Sequence, residues 1–162
     1  MVTTTHRQIV SLFFGFILLL SGMAVPAAHA DSTPMVTVST AAREGGEVTI
    51  GGSGFATSGP GIYVAIAPST VPGFYGHSDS FVGADPNKDF MEAGSTWWVY
   101  PAAMASMASS MPSTAPMGED GSFRVQLSVP AYDGDTEYVV LTTKGHGQGR
   151  SDTSQDTRTP VC

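Results

Sequence analysis

This sequence is short of the residues from which many sites are built. Its 162 residues contain one cysteine, Cys162, so no disulfide can form within the chain and paired-thiolate metal knuckles are excluded. Basic residues are scarce, seven against fourteen acidic ones, for a formal net charge of −7. That balance argues against nucleic acid as a partner and against electrostatic adsorption to an acidic membrane. Beyond residue 30 only two histidines occur, His77 and His146. HExxH, CxxC, GxSxG and Walker-type loops are missing, which takes away the usual signatures of zinc proteases, thiol redox enzymes, serine hydrolases and nucleotide binders. A strand–long helix–strand repeat is also missing, which argues against a parallel α/β fold.

One long apolar run does occur, at the beginning. MVTTTHRQ is followed by IVSLFFGFILLLSGMAV and by AHA at 28–30. A polar start, an apolar stretch and small residues at the two positions read by a signal peptidase predict a cleaved signal peptide over 1–30, with the mature chain beginning at Asp31. Export follows, to the outside of the cell or to the cell envelope, with no transmembrane segment left after cleavage. Residues 31–162 amount to a single domain. In an oxidising compartment Cys162 is either a spare thiol or the half-partner of a disulfide-linked dimer.

The mature part is rich in short alternating runs. MVTVST at 35–40, EVTIGGSGF at 47–55, GIYVAIAP at 61–68, GSFRVQLSVP at 121–130 and TEYVVLTTK at 136–144 read as strands. Weaker candidates lie at 80–82 and 95–100, and TPVC at 159–162 offers a short closing strand. The glycines of the second run predict a bulge or a close backbone approach. Short strands and glycine-rich turns predict an all-β sandwich, with 69–117 as a long irregular insertion.

The runs VTVST, GGEVTIGGSGF and GIYVAIAP, followed later by DGSFRVQLSVP, resemble the immunoglobulin-like modules of exported actinobacterial proteins, distantly similar to the neocarzinostatin-type apoproteins. Gly46–Phe55 matches the first element of that pattern and Asp120–Val129 the late one. The resemblance implies an immunoglobulin-like β-sandwich that binds, spaces or decorates. The paired disulfides around the ligand cleft of neocarzinostatin-type proteins have no counterpart here.

The insertion holds the candidate functional residues. Phe74, Tyr75 and His77 in GFYGHSD, with Trp97, Trp98 and Tyr100 in WWVY, are candidates for a partner-binding face. Tyrosine and histidine are also axial haem ligands. Pro101 and Pro112 bracket an alanine-rich stretch in which Met104, Met107 and Met111 fall at i, i+3 and i+7, one side of a short helix. Those methionines serve as pliable packing, or as a soft thioether set for Cu(I). Asp85, Asn87 and Asp89 have the spacing of the first ligands of a calcium loop but lack its glycine and distal glutamate. The acid pairs Asp133/Asp135 and Glu119/Asp120 sit in turns that need polar residues. GHGQG at 145–149 lacks the lysine and hydroxyl of a phosphate loop and reads as a flexible connection.

The expectation that follows is a non-enzymatic binding or structural module without a cofactor, exported or envelope-associated, engaging a protein or envelope component through 69–117. An extracytoplasmic copper or haem carrier is the alternative, and a small secreted hydrolase the third.

Overall fold

The clearest alternation in the sequence becomes the clearest strand. In Phe123–Val129 the four apolar side chains are buried and Arg124, Gln126 and Ser128 are exposed, as a strand with one face on a core requires. A computed structural model describes residues 32–162; the signal-peptide reading of 1–30 lies outside the described residues. Eight strands run in chain order: β1 (Met35–Val38), β2 (Gly46–Ser53), β3 (Ile62–Pro68), β4 (Thr96–Tyr100), β5 (Thr114–Pro116), β6 (Phe123–Val129), β7 (Tyr138–Lys144) and β8 (Thr157–Pro160). The one α-helical segment among the described residues is a single turn, α1 (Ala105–Ala108). Among the described residues no helix is long and apolar enough to cross a membrane.

The strands form two sheets, β1-β2-β6 and β5-β4-β3-β7-β8. All pairings are antiparallel except β4 with β5. The chain is thus an all-β protein of two sheets with little helix. Between the sheets lies an aliphatic core: Val48 and Ile50 from β2 and Val125, Leu127 and Val129 from β6 meet Ile62, Val64 and Ile66 from β3, Val99 from β4 and Val140 from β7. Phe55 and Phe123 close one end edge to face, with ring centroids 5.3 Å apart. The glycine break in β2 has its reason here. The Phe123 ring lies where a Cβ of Gly52 would have to go, so a side chain at 52 would displace a core aromatic. The close approach expected from GGSGF is realised, in a strand whose register with β6 runs unbroken from Gly46 to Gly52.

Two expectations are corrected and one strand is added. Residues 80–82 form no strand; a 3-10 turn covers Ser78–Ser80, and only the Val82 N–H reaches the sheet, at the Ile66 carbonyl. The closing strand lies at Thr157–Pro160, starting two residues earlier than TPVC. β5 was not foreseen: three residues after the methionine stretch run parallel to β4.

A larger difference concerns 69–117. In β3 every residue from Ile62 to Ala67 is buried, which a two-layer sandwich with one wet face does not allow. Residues 69–95 and the turn after β4 supply a third layer. Val71 and Phe81 cover Ala65, Ala67, Val139 and Leu141. Met91, Ala108 and the partly buried Phe74, Phe90, Met104 and Met111 gather around Tyr63 and Trp98. Arg158, on β8, fastens this layer by donating from its guanidinium to the carbonyls of Ser69 and Val71.

Candidate functional site

The six residues expected to form a binding face are distributed over two faces of one sheet. Trp98 is fully buried on the outer face, and its indole N–H donates to the Pro60 carbonyl at 2.7 Å. Trp97, one residue earlier, points to the opposite face and packs, half-buried, against the inter-sheet core. Phe74 stacks on Tyr63 at 5.8 Å and lies 4.8 Å from Phe81. These three aromatics are packing, because a strand alternates its faces and both faces of β4 are covered. Trp98 in particular is withdrawn from any exposed face.

Tyr75, His77 and Tyr100 remain half-buried at the rim of the third layer. Tyr75 is tightly held: its hydroxyl donates to the Lys144 carbonyl at 2.5 Å. The Arg150 guanidinium lies 4.8 Å above its ring, and the backbone amides of Gly147 and Gly149 act to lower its pKa. Burial raises the Tyr75 pKa above its ordinary value despite these donors, which opposes the phenolate that an axial haem ligand requires. His77 precedes the Ser78–Ser80 turn, and its carbonyl accepts the Ser80 N–H at 2.9 Å.

The three methionines do not share a face. Met104 and Met111 pack inward with the Trp98 cluster, whereas Met107 is 48% exposed. The reason is local geometry. The stretch begins as a 3-10 turn over Ala102–Met104 and continues as a single α-turn, so the side that meets the sheet is Met104, Ala108 and Met111. Convergence of three thioethers on one ion, the basis of the copper expectation, is not realised.

The oxygen-rich loops are likewise engaged with their own backbone. Asp85 accepts from the Asn87 N–H and Asp89 from the Met91 N–H. Asp120 holds the backbone and hydroxyl of Ser122. Among the described residues no group of three or more His, Cys, Asp or Glu side chains is arranged to hold a metal ion. The GHGQG segment is fastened rather than loose: Gly145 N–H donates to the Gly61 carbonyl at 2.8 Å, and the Lys144 ammonium meets the Asp152 carboxylate at 2.7 Å.

A concave site lies elsewhere, at the end of the sandwich where β6 leaves and β7 begins. A cleft of about 380 Å³ opens there between the two sheets. Val129, Pro130, Tyr138 and Val161 give it apolar walls, and Arg43, Tyr132 and Glu137 stand at its rim. Tyr132 is 50% exposed, with the Arg43 guanidinium 5.8 Å from its ring centroid. Arg43 has no carboxylate partner; the ion pairs among the described residues are Lys88–Asp85 and Lys144–Asp152. The exposed thiol of Cys162 borders the same cleft.

The loop that presents Tyr132 is held by its own hydrogen bonds. Asp133 accepts from the backbone N–H groups of Asp135 and Thr136 and from the Thr136 hydroxyl, which lowers its pKa to about 2. Tyr132 itself donates its backbone N–H to the Arg43 carbonyl and its hydroxyl to the Gly134 carbonyl, each at 2.9 Å. Arg43 and Tyr132 were not among the residues singled out from the sequence. The available signal was an aromatic residue inside an otherwise polar turn, AYDGD.

Compared with known protein families, curated proteins and solved structures, the chain has no significant match to any of them.

Proposed function

We propose that this chain is an exported, non-enzymatic binding module on an immunoglobulin-like scaffold, and that it takes a small apolar or aromatic acid in the cleft beside Tyr132. The scaffold reading is supported by strand order: β1-β2-β6 opposite β4-β3-β7-β8 corresponds to strands A-B-E facing C′-C-F-G. Export rests on the reading of residues 1–30.

The observation that carries the binding role is the cleft itself. Its volume falls in the range of small-ligand sites, and the apolar surface of Val129, Pro130, Tyr138 and Val161 lies beside the polar Arg43, Thr136 and Glu137. It lies at the end of the sandwich where the β1–β2 and β6–β7 connections meet. The half-exposed Tyr132 ring offers a stacking surface held in place before any ligand arrives. The unpaired Arg43 guanidinium selects an anionic end by charge-assisted hydrogen bonding.

The test is a titration of the isotope-labelled protein with 2-naphthoate, followed by amide and methyl chemical shifts. Shifts are expected to concentrate on Arg43, Val129, Tyr132, Tyr138 and Val161, and to weaken in R43Q and Y132A. Shifts confined to Tyr75, His77 and Tyr100 would transfer binding to the rim of the third layer. Absence of saturable shifts in either region would overturn the proposal.

A further inference from the structure

A two-sheet protein has four sheet edges, and three of them are closed or blunted here. β1 and β8 lie together on one side of the sandwich and are only four residues each, β8 ends on Pro160, and just beyond the two strands the Ala41 N–H donates to the Cys162 carbonyl at 2.7 Å. β5 is three residues long and ends on Pro116. β6 differs from all of these. It runs seven residues, Phe123–Val129, without proline, lysine or a break in its register with β2. Among the described residues its backbone bonds to no segment other than β2. In an antiparallel pair, alternate residues turn their N–H and C=O away from the partner, so β6 carries a row of unpaired donors and acceptors along its outer side. Proteins that must stay single protect such an edge with proline, lysine, bulges or inward charge.

We infer that β6 is a self-association edge, pairing antiparallel with β6 of a second copy to join two three-stranded sheets into one of six. A two-fold axis demands a strand complementary to itself, and β6 meets that demand about Gln126. With the axis on Gln126, Arg124 of one copy stands opposite Ser128 of the other. Ser128 in turn neighbours Glu47 on β2. Arg124, Ser128 and Glu47 are all exposed. The resulting row places Arg124 two strand spacings, about 10 Å at the backbone, from Glu47 of the second copy. The small Ser128 between them leaves that gap for the two long side chains to close. Symmetry makes the pair twice, and neither Arg124 nor Glu47 is in an ion pair within the monomer. Gln126 faces its own copy on the axis, amide to amide. Cross-strand pairs of opposite charge stabilise a ladder, and like charges directly opposed destabilise it.

The experiment is sedimentation equilibrium of the full chain, purified from an exporting host in reducing buffer so that Cys162 contributes no covalent link. A monomer–dimer equilibrium is expected. R124E and E47R should each weaken it by about threefold or more, while the double variant R124E/E47R should return it to the wild-type value. Q126K, which opposes two lysines on the axis, should weaken it as well. All three positions changed are exposed, and far-UV circular dichroism confirms that each variant is folded. Rescue by the charge swap is the decisive result, since misfolding cannot produce it. A monomer at every concentration, or a dimer indifferent to both single charge reversals, would overturn the inference.

Discussion

The two faces of the five-stranded sheet are covered in different ways. The inner face meets another sheet, and its residues are those that a pleated surface favours: Ile62, Val64 and Ile66 on β3, with Val99 and Val140 alongside. The outer face meets a wandering segment, and its residues are Tyr63, Ala65 and Ala67 on the same strand, with Trp98 on the next. Small residues leave room where the covering backbone comes close, and large aromatics fill the space where it does not. Sheet-on-sheet packing uses β-branched side chains of similar size; packing against irregular backbone needs a mixture of sizes. The outer cover therefore depends more heavily on a few large side chains.

The sharpest way to break that contrast is to remove one large residue from each side. Trp98→Ala is expected to cost about 3–5 kcal/mol in denaturant unfolding, with the Pro60 carbonyl left unpaired as an added penalty. Ile66→Ala falls in a similar range, about 2–5 kcal/mol. Equal losses with a single transition make the cover part of one cooperative unit. A Trp98→Ala loss below about 1 kcal/mol would show that the third layer contributes little to the fold.

A smaller effect is expected at the fastening of the cover. Arg158→Ala removes the guanidinium donors to Ser69 and Val71 and should cost about 1 kcal/mol. It should also speed proteolytic cutting between residues 69 and 77, read by mass spectrometry of the fragments. Unchanged cutting would show that the layer is held without Arg158. The smallest effect separates the methionines. Met107→Ser should change stability by less than about 0.5 kcal/mol, as exposed positions do. Met104→Ser, which places a hydroxyl against the Trp98 cluster, should cost clearly more. Equal effects at 104 and 107 would restore the single methionine face.

Much of the sandwich was legible because alternation survives in one-sided strands. β6 reads directly from FRVQLSV, and β1, β2, β4 and β7 follow from runs of valine, threonine and aromatics. β5 and β8 were illegible or misplaced because each is short and paired along one side, so tertiary contacts rather than local pattern define them. The third layer does leave a trace in the sequence. IYVAIAP contains no polar residue on either face, and a strand apolar on both faces is covered on both. The insertion was read as recognition surface because aromatics in a loop look the same whether they pack or project. The Tyr132 cleft was hidden for another reason: it is assembled from residues 41–43, 129–138 and 161–162, which only the closed sandwich brings together.

The cover is also the connection between the two strands it lies on. Residues 69–95 leave β3 at Pro68, cross the sheet and return as β4, which pairs directly with β3. Its ends are therefore fixed wherever the middle goes, and lifting it unpairs no strand. The β3–β4 register is set by the strands themselves, so a change within residues 69–95 acts on the packing of the outer face and leaves the strand pairing as it is.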